Sequence, residues 1–399
     1  MDRSTRAMPR AEFSEPDPFI TADEFEARLK LARQVESFIQ ALFFDDFDLY
    51  TELIAVIELA LPESLEPGGE LSAEAGPPFG VPDRVDLMIM MNQLRMFCKH
   101  YMLHLDPNNI TNPAWAYALR TTPDFDEDDF HSEDAMDARI ESRMFDDDSF
   151  NTDPNLPDYP RDIEEEIKCI KRDNNTCVVT GKANPSLFWF IPSTWNDTAE
   201  HNNVTGRTVQ CGYCMTGVIF DPRHNILIGY DKLGITHKQW NMLCADPVLH
   251  ELLKSGLSAF KLFGEAKLED GNYEATLQFY WMPQLQGCFG LIMDRASDWF
   301  DELEEFQLEG YPPPSSYKHN LTTKSGEPLR SGHLIHVKIP EQDIENFKSV
   351  VKVHWTCVVF AALCGAAGRG HLLSGRDFDN EVMVYEQDKV RREDLAVYR

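Results

Sequence analysis

Apolar residues recur along this chain at two spacings, and the spacing assigns most of the elements. After Thr21, the residues Phe25, Leu29, Leu31, Ala32, Val35, Phe38 and Ile39 gather largely on one stripe of a 3.6-residue period, which predicts an amphipathic helix. Thr21 with Glu24 three positions later is a capping box and sets the start of that helix. A second helix is predicted from about 47 to 61, stopped by Pro62, and a third from about 82 to 105. The third carries Met88, Met90, Met91 and Met96, a stripe that reads as core or as a partner groove rather than a metal site. From Asp162 a helix carries Ile163, Ile167 and Ile170. Residues 275–281 alternate Thr276, Gln278 and Tyr280 against Leu277, Phe279 and Trp281, the period of a half-buried strand. Strand composition also marks 177–180, 187–191, 257–264 and 333–339, with turn chemistry over 181–185. Residues 240–254 read as a helix entry and helix, and 341–367 as a long helix. Between them, 193–239 is long, polar and mixed, and Pro312-Pro313-Pro314 marks a loop. No internal repeat is present.

Charge divides the chain more sharply than hydrophobicity does. The formal net charge over 399 residues is -30. Residues 121–166 hold 18 Asp/Glu against 3 Arg, whereas 167–280 hold 11 of each sign. The acidic stretch is too charged and too poor in aliphatic residues to offset its ordering entropy, so it predicts a solvated connector. A mimic of DNA charge is the alternative reading. The expected organisation is therefore a disordered 1–20, a helical N-terminal region over 21–120, an acidic linker over 121–160, a further domain over 161–375 and a C-terminal tail over 376–399. Helices and strands in this order predict an α+β fold. The opening Met1-Asp2-Arg3-Ser4 has no apolar run behind it, and no apolar stretch reaches the length of a membrane span. The longest candidate, 353–368, contains His354 and reads as a buried helix. Nine irregularly spaced Cys without a secretory signal predict reduced thiols in an intracellular compartment, nucleus or cytoplasm being left open.

The chemistry concentrates between 172 and 283. Arg172-Asp173 precedes Cys177-Val178-Val179-Thr180-Gly181; Phe188-Trp189-Phe190-Ile191-Pro192 follows; then come Trp240-Asn241-Met242-Leu243 and Val248-Leu249-His250. Ser258-Ala259-Phe260-Lys261, Gln278-Phe279-Tyr280-Trp281-Met282-Pro283 and Ser331-Gly332-His333 continue the series. In order and number these runs resemble a large fungal group of HNH nuclease domain-containing proteins, over roughly residues 160–370. The resemblance implies an HNH-like ββα-metal core with added strands and helices. It implies an endonuclease acting on DNA with one divalent metal, Mg or Zn. By the same resemblance, Asn241 is the central Asn that fixes the backbone, and His250 is the last, metal-binding His. The first His, which would act as general base on a water, falls at Trp189.

That departure decides what to expect. Neither the Trp189 indole nor the Phe188 ring can take a proton from water or bind a hard cation. About 50 residues also separate Trp189 from Asn241, so the hairpin carries a long insertion, from which His201 or His237 is a candidate substitute base. Duplex binding depends on Lys and Arg neutralising phosphates, and a charge of -30 disfavours it. Two readings follow: a nuclease-like protein with weak or lost activity, or a non-catalytic protein-interaction module on the same scaffold. A separate metal candidate is the Cys211-x-x-Cys214 pair with Cys177 and Cys244 as a four-thiol zinc site, against the plainer reading of ordinary buried cysteines. His333 and His336 on one strand face opposite sides, and His354 with Cys357 reads as core.

Overall fold

The computed structural model describes residues 12–43, 49–77, 80, 84–111, 115, 152–218, 226–229, 231–286, 296–315 and 317–373. The acidic run over 121–151 and the tail over 376–399 lie outside the described residues. The N-terminal helices are α1 (Ala22–Phe43), α2 (Thr51–Leu59) and α3 (Arg84–Leu105). Further on come α4 (Ile163–Arg172), α5 (Ala199–Thr208), α6 (Pro247–Lys254), α7 (Ala296–Leu308) and α8 (Ile344–Leu363). Strands β1 (Ser186–Trp189) and β2 (Met242–Ala245) form one antiparallel pair. Strands β3 (Ser258–Lys267), β4 (Tyr273–Trp281) and β5 (Leu334–Ile339) form an antiparallel sheet in that order. The fold is α+β.

The capping box forms as the sequence predicts: Thr21 N donates to Glu24 at 3.0 Å, and Glu24 N donates to Thr21 Oγ1 at 3.3 Å. α8 is buried on nearly all sides, because Val350, Val351, Val353, Val358, Val359 and Phe360 surround its axis. It packs against α2, α3 and β3, so the N-terminal helices and the C-terminal half share one hydrophobic core. The junction is also polar. Tyr101 on α3 donates its hydroxyl to Phe190 O at 2.6 Å, and its oxygen lies 2.7 Å from His354 Nδ1 on α8. The tyrosine proton is committed to the carbonyl, so His354 Nδ1 is the donor in the second bond.

Several expectations are corrected. Residues 12–20 are ordered against the sheet rather than disordered. Leu334 N donates to Glu12 O, Ser14 N to Gly332 O, and Gln278 Nε2 to Ser14 O. Asp17 N donates to the Tyr280 hydroxyl, and Ile20 is buried. This segment covers the polar side of β4, which is why Gln278 and Tyr280 are buried although the alternation places them outward. Residues 177–180 form a turn rather than a strand, anchored by a single bridge between Thr176 and Ala183. Residues 242–245, read as a helix entry, are strand β2. The end of the expected linker is docked: Thr152 N donates to Asn203 Oδ1 at 2.7 Å, and Tyr159 N to Asp197 O at 2.7 Å. No described helix is long and apolar enough to cross a membrane.

Candidate functional site

β1 and β2 pair across the insertion, with Trp189 opposite Met242 and Phe188 opposite Leu243. Asn241, fully buried, locks the end of this ladder. Its Oδ1 accepts from Ile191 N at 2.8 Å, while its Nδ2 donates to Ile191 O at 2.8 Å and to Thr236 O at 3.1 Å. One side-chain amide thus satisfies both backbone groups of Ile191, which no other residue type of that size except Asn can do with one donor group and one acceptor. A second clamp comes from α4. Arg172 is held by Asp173 through Nε at 2.7 Å and Nη2 at 2.9 Å, and donates to Gln239 O at 2.9 Å and Met242 O at 2.7 Å. Asp173 Oδ2 in turn accepts from Cys244 N at 2.9 Å. The Arg-Asp pair therefore joins the end of α4 to the backbone of β2.

α6 follows β2 after a one-residue turn. Asp246 caps it by accepting from Val248 N at 2.9 Å, and Pro247 supplies a preset φ at its first position. Leu249, Leu252 and Leu253 bury one face. His250 lies on the more exposed side, with Nδ1 3.4 Å from Glu251 Oε1. The strand pair and α6 make a strand–strand–helix unit in which His250 lies against β1.

The alternation of β1 then separates the two positions of interest. Phe188 points to α6, its ring edge-on to His250 at 6.2 Å and also against His354 at 5.4 Å. Trp189 points to the opposite face, where its ring meets His237 at 5.1 Å. His237 Nε2 donates to Ser193 O at 2.9 Å, and burial pushes its pKa down. It lies on the far side of the hairpin from His250. His201 lies on α5, bonded to Asp197 at 2.7 Å and edge-on to His104 at 5.1 Å. The Asp197 bond raises its pKa. Of the two candidate substitute bases, one reaches Trp189 and neither converges on His250.

A divalent metal at His250 needs further oxygen or nitrogen donors. Among the described residues no three His, Cys, Asp or Glu donors that include His250 converge within 4.8 Å of one another. The neighbour supplied by β1 is the Phe188 ring, which has no lone pair to offer. The residues present do not fit the metal that the resemblance implies.

The four-thiol zinc set does not assemble either, because its members face different elements. Cys177 Sγ accepts from Val179 N and Thr180 N at 3.3 Å, shaping the turn. Cys211 donates to Gln93 Oε1 at 2.6 Å, and burial pushes its thiol up to about 12. Cys214 lies beside it, and burial raises that thiol to about 11. Cys244 instead meets Cys169 and Asp173 of α4. The sequence signal for that trio is the i, i+4 spacing of Cys169 and Asp173, which places both on one helix face. No disulfide joins the eight described cysteines.

Beside the Trp189–His237 contact, Tyr159 stacks edge-on to His237 at 5.1 Å and closes over Gly234. It forms one wall of a groove of about 310 Å³ with Leu156, Leu233, Ile235, Lys232 and Lys238. On the outer side of α4, Ile163 is 67% and Ile167 43% exposed, while Ile170, Leu187 and Trp189 are half-buried against Cys169, Met242 and Cys244.

Comparison of the chain with family models, with curated proteins and with solved structures finds no match in any of the three.

Proposed function

We propose that this protein is a non-catalytic protein-interaction module on a nuclease-like strand–strand–helix scaffold, in which phosphodiester cleavage has been lost. The observation that carries the reading is the pair of rings on β1. Phe188 fills the space against His250, and Trp189 turns to the other face against His237. A hydrolytic site of this class requires a base and metal donors on one side of the hairpin. The clamps by Asn241 and Arg172 keep the scaffold, so what is absent is the reacting set rather than the frame. A protein partner is favoured over DNA by the exposed Ile163 and Ile167 of α4 and by a charge of -30. Glu164 and Lys168 are exposed beside Ile163 and Ile167, so the partner that fits presents apolar side chains with polar ones around them.

The test is plasmid cleavage by wild type, His250→Ala and Trp189→His with magnesium, manganese or zinc. All three are expected at background, since loss of a positioned base alone costs roughly 10²- to 10⁴-fold. Metal-dependent cutting by wild type that His250→Ala abolishes overturns the proposal. Gain of cutting by Trp189→His alone overturns the part of it that places residue 189 on the wrong face.

A further inference from the structure

A buried donor set lies apart from His250, where α4 meets β2. Cys169 is on the last turn of α4, Asp173 caps that helix, and Cys244 is on β2 opposite Leu187. Their two sulfurs and a carboxylate oxygen all lie within 4.8 Å of one another, and all three residues are buried. Among the described residues this is the one trio of His, Cys, Asp or Glu that converges in this way. We propose that Cys169, Cys244 and Asp173 bind a single zinc ion, or a comparably soft divalent cation, that pins α4 to the strand pair.

Two thiolates with one carboxylate select zinc, cadmium or cobalt over magnesium or calcium, which want oxygen alone. Charge closes around such an ion. Two thiolates and the carboxylate carry three negative charges, and the ion with Arg172 carries three positive ones. Arg172 need not leave. Its Nη2 lies 3.4 Å from Cys169 Sγ and 2.9 Å from Asp173 Oδ2, and its Nε holds Oδ1 at 2.7 Å. A guanidinium in that position acts as an outer partner that orients the carboxylate and the sulfur. Cys244 N donating to Asp173 Oδ2 fixes the third donor from β2.

Each thiol gives up its proton to solvent as its sulfur forms a bond to the metal, and no electrons move. Three protein donors leave one of zinc's four positions to a small exogenous ligand, so affinity falls below that of a four-thiolate site.

The experiment titrates the full-length, reduced, chelator-treated protein with cobalt, followed by displacement with zinc. One equivalent of cobalt is expected to give a near-ultraviolet sulfur-to-cobalt band that zinc removes. The apparent affinity is expected to tighten as pH rises, because the metal displaces the thiol protons. Cys169→Ser and Cys244→Ser are each expected to weaken binding by at least 10²-fold, while Cys211→Ser leaves it unchanged. Absence of the band in wild type overturns the proposal without any variant, so misfolding of a Ser variant cannot mask the answer. A band that persists in both Cys169→Ser and Cys244→Ser also overturns it. Neither result depends on whether the protein cleaves DNA.

Discussion

Removing the Asn241 side chain tests the frame on which the site rests. Asn241→Ala deletes three buried hydrogen bonds, at 2.8, 2.8 and 3.1 Å, and leaves Ile191 N, Ile191 O and Thr236 O without their partner. A buried polar group left unpaired costs about 1–3 kcal/mol. Water entering the vacated volume recovers part of this for the two carbonyls, so the expected loss is about 3–5 kcal/mol. That is a large share of a typical stability of about 5–15 kcal/mol. Asn241→Asp adds a sign test. It keeps the acceptor for Ile191 N but sets a carboxylate oxygen against two carbonyl oxygens, which disfavours the charged form. The new carboxyl then has a folded pKa above its unfolded value, so its penalty grows as pH rises and eases as pH falls. Urea unfolding followed by tryptophan fluorescence measures both variants. A loss below about 1 kcal/mol for Asn241→Ala, or an Asn241→Asp deficit that does not shrink between pH 8 and pH 5, refutes the clasp as described.

Other perturbations probe other parts of the fold. Glu58 is buried with both carboxylate oxygens unpartnered, and burial raises its pKa to about 8. The penalty builds as pH rises from its unfolded range towards 8, so Glu58→Gln is expected to stabilise by about 3 kcal/mol at pH 7 and by little at pH 4. An unchanged or lower Tm at pH 7.5 counts against this. His100 and His354 are buried, and desolvation lowers each to about 3. Their unfolded forms take up protons first, so stability falls with acidification, by about 2 kcal/mol for each between pH 7 and pH 5. Glu58 works in the opposite direction over the same range, so this slope is to be read in the Glu58→Gln background; a flat profile there contradicts it. Arg172→Lys keeps the charge but not the fork that reaches Asp173, Gln239 O and Met242 O, and is expected to cost about 2–4 kcal/mol by urea unfolding. A neutral result shows that the Arg-Asp clamp is dispensable.

Local patterning and composition bring most of the helices and four of the five strands into view, and fail where partners are distant in sequence. The stripe of α1 with its Thr21–Glu24 box and the alternation of β4 are properties of neighbouring residues, and both appear in the structure. β1 pairs with β2 more than 50 residues away, and nothing in either four-residue strand specifies the other. Cys177, Val178 and Val179 have strand composition, but the Cys177 sulfur accepting two backbone N–H groups bends them into a turn. α7 was missed because its acidic residues dilute the apolar spacing of Trp299, Phe300 and Leu303. Gln278 and Tyr280 sit on the polar side of the alternation yet are buried, because the segment that covers them lies some 260 residues upstream. Trp189 was legible as a departure from the resemblance. That it faces His237, and that Phe188 is what His250 meets, depends on the pleat of a strand whose pairing the sequence does not reveal.

The most direct test of the account is a manganese titration of wild type and His250→Ala by isothermal calorimetry. Manganese is a hard cation that avoids thiols, so it reports on oxygen and nitrogen donors around His250 and not on the Cys169–Cys244 site. The account predicts no saturable binding that distinguishes the two proteins. A single site in the micromolar range, present in wild type and lost in His250→Ala, would show that a metal centre assembles there despite Phe188 and would contradict the central claim.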